Sequence, residues 1–437
     1  MADTSGLRRQ DRAGALRDRF AALRSSDLGK AGGLAGAMIA NNVIALGSTV
    51  VFARLLDDYG SLAALISYYL ILSVAGQAMQ VATARESVLG TLGSGPQLAA
   101  TLRSWTRTLL VLTAGLAVVS VLARAPIAHA VGVHEQWAAA IGLPAGVLWL
   151  LLSILRGALQ GVGDYRAVGV SLIGEQGVRL VLGAALAATS LGVTGAYLGT
   201  PLSLIAIVLY CGTELRRRLA APAGSLPETL APALRLRDHV VRAWAPIAGL
   251  IVVALLQNID IIAAKHRFST DVASSYGATA VAAKVLVWVA IGVGFYLVPE
   301  TSRRDAEGQD TRPVLLRSLG IVLACAIPVL LIFALGGRLL LRLAFGADRL
   351  LAVDALLPLG VAFTLLALTY LGIQYLLALH RTRFLIPLGL VAIAEPVLLL
   401  TVAPADPNGF AATVLALQAL AAALALGLAL RAQKRPS

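Results

Sequence analysis

Glu175 and Arg179 are the first residues of this chain whose type and spacing could do chemistry. They stand four apart in the stretch 167–187, which is otherwise nearly all apolar. At 3.6 residues per turn, that spacing puts carboxylate and guanidinium on one helical face, with Ser171 one turn below. A stretch so long and apolar is a membrane span, so the pair lies near mid-bilayer. Each charge there costs about 2.5–3.5 kcal/mol on insertion scales and faces a bundle interior or a wet cavity. Two readings fit: a self-neutralising pair that glues helices, and the polar wall of a transport cavity. Lys284 and Glu395 also fall inside apolar stretches, while Asp260 sits nearer a span end with Lys265, as an interfacial pair would. Arg179 offers a planar donor fork and Lys284 a point charge, a combination that suits an anion such as a pyrophosphate. The competing arrangement has Glu175 consuming Arg179 and Glu395 consuming Lys284. For ion coupling the available carboxylates are Glu175, Asp260 and Glu395. Uncharged polar residues recur in the same stretches: Asn41 and Asn42, Gln77 and Gln80, Gln257 and Asn258, and Gln374. Singly, each suits a helix-to-helix hydrogen bond of about 0.6 kcal/mol. Taken together they outline one substrate cavity.

The elements that must carry these residues follow from composition. Of 437 residues 58% are hydrophobic and 14% charged, and the mean hydropathy is +0.82. A soluble domain cannot bury that much apolar surface, so the chain is an all-α polytopic membrane protein. A net charge of +13 invites a nucleic-acid reading, but the basic residues punctuate apolar stretches and gather on no single face. The hydropathy predicts twelve spans, at roughly 32–54, 61–82, 105–123, 137–157, 167–187, 192–212, 243–264, 276–298, 315–336, 353–377, 384–403 and 409–430. Region 337–352, interrupted by Arg338, Arg342, Asp348 and Arg349, reads as an outer loop with an amphipathic stretch. No cleaved signal is expected, because the first 30 residues hold no apolar run of that kind. In that basic tail Leu16, Phe20 and Leu23 recur at helical spacing, as in an interfacial helix; a solvated tail fits as well. Cys211 and Cys325 lie in or beside spans and indicate no disulfide framework.

With the N-terminus inside, the arginines and lysines between spans fall mainly on the inner side, which places both termini in the cytoplasm. The longest inner segment carries Arg216, Arg217 and Arg218 and then a Pro- and Ala-rich stretch. The organisation is therefore a basic tail (1–30), a six-helix bundle (31–212), a cytoplasmic linker (213–240), a second six-helix bundle (241–430) and a short tail (431–437). Asn41 recurs as Asn258, Tyr59-Gly60 as Tyr276-Gly277, Glu175 as Glu395 and Gly195 as Gly409, at nearly constant separation. Six spans per half give both halves the same orientation, hence a pseudo-twofold axis along the membrane normal with a cavity between them. No loop accommodates a nucleotide-binding domain, and the chain lacks a P-loop, HExxH or a Cys/His cluster. No enzyme activity, metal or cofactor is expected.

Three segments carry a family resemblance. RGALQGVGDYRAVGVSLIGEQGVRLVLGAAL with LGVTGAYLG, VFARLLDDYGSLAAL, and FYLVPETSRRDAEGQD resemble the turns and paired spans of oligosaccharide and polysaccharide (O-antigen-type) flippases. These belong to the multidrug, oligosaccharidyl-lipid and polysaccharide exporter superfamily, and the resemblance covers about residues 31 to 430. It implies two bundles working by alternating access on a glycan linked to a polyprenyl pyrophosphate in the bacterial inner membrane. Asn41 and Asn42 stand where lipid II flippase relatives have arginines, which argues against lipid II as cargo. The implied partners are the bilayer, the lipid-linked glycan, and the glycosyltransferases and glycan polymerase of a surface-glycan assembly. The competing reading is a cation-coupled drug antiporter of the same superfamily. A membrane-embedded glycan polymerase would need a sizeable outer loop, which the chain lacks.

Overall fold

The computed structural model describes residues 27–220 and 235–432, so nearly all of the basic tail, the middle of the linker and most of the short final tail lie outside the described residues. The first half comprises α1 (Asp27–Leu55), α2 (Tyr59–Val88), α3 (Gly95–Leu122), the short α4 (Arg124–Val131), α5 (Gln136–Gly161), α6 (Tyr165–Ala187) and α7 (Gly192–Leu219). A short helix, α8 (Leu236–Arg242), leads into the second half: α9 (Trp244–Arg267), α10 (Thr270–Ala306), α11 (Arg312–Phe345), α12 (Leu356–Ala378), α13 (Leu385–Thr401) and α14 (Pro407–Arg431). Among the described residues, eleven helices are long and apolar enough to cross a membrane, and α13 is a shorter apolar one. Together they make the expected twelve.

Helix starts follow local chemistry. Asp58, Asp164 and Asp406 accept hydrogen bonds from the backbone N–H groups of Ser61, Ala167 and Gly409, supplying acceptors that the first turn lacks. The packing repeats between halves. α2 packs on α5 as α10 packs on α12; α1 on α6 as α9 on α13; α6 on α7 as α13 on α14. These are equivalent pairs, so the two bundles are related by a pseudo-twofold. The repeated Tyr-Gly motifs meet beside that axis. Gly60 N–H donates to Ser274 Oγ at 2.9 Å, and a Cβ on Gly277 would stand 3.1 Å from Ala63 Cβ. Gly157 and Gly161 let α5 close on the backbone of α2, and Gly195 and Gly199 let α7 close on α6.

The region expected as a loop at 337–352 is different. Helix α11 continues to Phe345, leaving two short 3-10 turns, Ala347–Arg349 and Val353–Ala355. Phe333, Gly337, Leu341 and Phe345 are buried at four-residue spacing while Arg338 and Arg342 face outward. The arginines that broke the hydropathy pattern thus occupy the outward face of one continuous helix. α10 is also longer than its predicted span: 37 residues make about 56 Å of helix.

Candidate functional site

In the first half, Glu175 is the hub. Arg179 Nη2 donates to Glu175 Oε1 at 2.7 Å, and Arg156 Nη2 donates to Glu175 Oε2 at 3.0 Å. Arg156 also donates from Nε to Ser171 Oγ (2.8 Å) and from Nη2 to the Ser171 carbonyl (2.9 Å). Arg156 lies over the Trp149 ring and Arg179 over the Tyr69 ring, at 5.5 and 5.6 Å to the centroids. Both Arg156 and Glu175 are 1% exposed, whereas the Arg179 side chain keeps 16%. Arg156 lies on the buried face of α5 and turns toward α6. Its signal was there to find: an arginine in the last turn of an apolar stretch, just before a glycine that permits close packing.

The second half has its own cluster. Lys284 Nζ donates to Asp260 Oδ1 at 3.3 Å and lies over the Phe363 ring, while Tyr276 Oη donates to Asp260 Oδ2. Asp260 is therefore not paired with Lys265 at the interface; it is fully buried. Lys265 binds Asp58 of the first half, from Nζ to Oδ1 and Oδ2 at 2.7 and 2.8 Å. Glu395, also fully buried, accepts from Gln418 Nε2 at 3.4 Å and stands in electrostatic reach of Asp260 and Lys284. Glu395 Oε2 and Gln418 Oε1 have no hydrogen-bond partner. Lys284 is thus bonded to Asp260 rather than to Glu395.

Glu175, Arg179, Lys284 and Glu395 consequently do not converge. Their contacts stay within separate halves, because the repeat places each on the inner face of its own bundle. The first-half cluster (Arg156, Glu175, Arg179) carries formal charge +1, and the second (Asp260, Lys284, Glu395) carries −1.

The halves are joined by polar contacts at one end of the molecule and by α2 packed along α9. Beside Lys265 and Asp58, Arg349 Nε donates to the Ala53 carbonyl in the last turn of α1, and Nη2 donates to those of Leu56 and Asp57 just beyond it. Arg54 donates in turn to the Leu343 and Ala344 carbonyls. Burial pushes the Asp58 carboxyl up, but Lys265 and Ser61 outweigh it and hold it below its ordinary value. α2 also runs along α9, through Val74, Ala78, Leu250 and Ala254. On the flank formed by α1 and α10 the halves barely touch.

The amides are distributed unevenly. Gln77 is exposed, and Asn41, Asn42, Gln80, Gln257 and Gln374 are half-buried. Asn41 Nδ2 donates to Asn42 Oδ1, and Gln374 Nε2 to Tyr370 Oη, whose ring packs against the α2–α9 contact. Asn258 is buried and donates to the Ala254 carbonyl of its own helix. At the linker end, His239 of α8 is fully buried. It stacks on Trp105 at 4.8 Å, contacts Thr83 at 3.0 Å and meets Glu86 at 3.0 Å. Sequence reading missed this contact, since one histidine after a linker carries no periodic signal.

The two-bundle geometry has known counterparts. An inward-facing MATE-family multidrug-resistance transporter of the MOP superfamily aligns with TM-score 0.73 at 12% identity, covering 90% of this chain and 94% of its own. The lipid II flippase MurJ in an inward closed conformation gives 0.69 at 15% identity over 90% and 86%. An outward-facing MATE transporter gives 0.61 at 13% identity over 95% and 98%. This chain has the fold of the MOP superfamily transporters. No family model matches the sequence, and no curated protein matches it.

Proposed function

We propose that the chain is a flippase that moves a polyprenyl-pyrophosphate-linked oligosaccharide or polysaccharide precursor across the bacterial inner membrane by alternating access. The observation that carries this is the asymmetric closure. The halves are clamped by Asp58–Lys265 and Arg349 at one end, while α1 and α10 barely touch along a flank. A flank open to lipid admits a polar head while its polyprenyl tail remains in the bilayer. The excess of basic residues on the other side assigns the clamped end to the outer face and both termini to the cytoplasm. The conformation is then inward-facing, in keeping with the higher TM-score to the inward-facing MATE transporter than to the outward-facing one. Asn41, Asn42, Gln77, Gln80, Gln257 and Gln374 are the amides assigned to the sugar. Ion coupling falls to Glu395, whose Oε2 accepts no hydrogen bond from the described residues, with Asp260 beside it held by Lys284 and Tyr276, rather than to Glu175, both of whose oxygens are taken by guanidinium groups. Glycosyltransferases would supply the cargo and a polymerase consume it.

The test is flipping of a fluorescent undecaprenyl-pyrophosphate oligosaccharide in proteoliposomes, read by accessibility of its sugar to an external lectin. Redistribution that the Asn41→Leu/Gln77→Leu double variant abolishes supports the reading. The second reading, a cation-coupled drug antiporter, is favoured by the MATE neighbours and the net negative second-half cluster. Proton- or sodium-driven efflux of a cationic dye, with no redistribution of the lipid, would select it.

A further inference from the structure

Helices α2, α5, α6 and α7 of the first half enclose more donors than acceptors. Among the described residues, Arg179 Nε, the Trp149 indole N–H and the Ser153, Tyr69 and Tyr197 hydroxyls make no hydrogen bond of ordinary geometry, the Tyr69 hydroxyl having only Arg179 in reach. Tyr69 is 2% exposed and Tyr197 fully buried. Both stand within electrostatic reach of Arg179, which overlies the Tyr69 ring, and the Tyr69 and Trp149 ring centroids lie 6.3 Å apart. Two of these groups, the indole and the Nε of a guanidinium, can only donate. Charge points the same way. Arg156 and Arg179 do not deprotonate in proteins, and among the described residues Glu175 is the sole ionic partner of either. A buried charge of +1 among bare donors is costly, and one monovalent acceptor cancels it and satisfies the donors together.

We propose that this cluster binds one small inorganic monovalent anion of the halide class, chloride in the cell, held by Arg179, Tyr69, Tyr197 and Trp149. The site is separate from the glycan-lipid cavity and does not depend on which cargo the chain carries. A diphosphate head group is too large and too highly charged for a locus whose donors are all enclosed. The partly exposed Arg179 side chain is the entry.

The experiment is equilibrium binding of 36Cl− to the purified full chain in detergent, in a gluconate background. The expected result is saturable binding of about one chloride per chain, displaced by bromide but not by gluconate or pyrophosphate. Arg179→Gln should abolish it. Tyr69→Phe, which keeps the ring under Arg179, should weaken it about tenfold, and Lys284→Gln should leave it unchanged. If Arg179→Gln fails to fold, Arg179→Lys and Tyr69→Phe decide: weaker binding supports the site, and wild-type affinity in both overturns it. Absence of saturable binding, loss of binding in Lys284→Gln, or displacement by pyrophosphate as effective as by bromide would also overturn it.

Discussion

Replacing Lys265 by Met should release the clamp between the halves. Met keeps most of the apolar stem and removes only the ammonium. Lys265 is the residue to change rather than Asp58, because Asp58 also caps α2 through Ser61 and its loss would confound clamp with cap. The side chains are 6% and 24% exposed, so the pair lies between two regimes. Removing one partner of a fully buried pair costs about 3–5 kcal/mol, and exposed pairs contribute about 0.2–1 kcal/mol. An intermediate loss of about 2 kcal/mol shifts a two-state equilibrium about 30-fold, since 1.36 kcal/mol is tenfold. The assay is double electron–electron resonance between spin labels at Leu55 and Leu351, both exposed near the clamped end, in a Cys211→Ser/Cys325→Ser background. The long-distance population should grow about 30-fold relative to the short one in Lys265→Met. Adding Asp58→Asn to it should change little more. An unchanged distance distribution in Lys265→Met would refute the clamp.

Other perturbations test the remaining contacts. Glu175→Gln leaves two buried guanidinium groups without a counter-charge, so it should destabilise the first half by about 3–5 kcal/mol, read as loss of monodisperse protein on heating. Gly60→Val should wedge the halves apart, because even a Cβ there meets the Ser274 backbone N at 3.0 Å; the Leu55–Leu351 distance should lengthen. Burial pushes the His239 imidazole below its usual 6.5, against the opposing pull of Glu86. The unfolded chain therefore takes up more protons below pH 6.5, and melting temperature should fall as pH drops through that range until the folded histidine titrates. His239→Phe, which keeps a ring against Trp105, should flatten that slope. The Asp58 carboxyl, held below its ordinary 3.8, contributes above that value and is lost as pH falls through its folded value. The Leu55–Leu351 distance of the parent chain should therefore be the same at pH 8 and pH 5.

The sequence by itself determined the number of spans, the membrane class and the two-half repeat, because hydropathy and helical period are local properties of the chain. It also determined that Glu175 and Arg179 pair, since both sit on one helix four residues apart. Partner choice between helices was decided only by tertiary structure. Lys284 had Glu395 and Asp260 within its half, and the approach of α9 to α10 gave it Asp260. Lys265 was nearest in sequence to Asp260 yet binds Asp58 across the molecule. Arg156, near the end of an apolar stretch, meets Ser171 and Glu175 because the buried face of α5 turns it toward α6. A buried charge must find a counter-charge, but composition and spacing do not say which one. That is set by which helix faces come together.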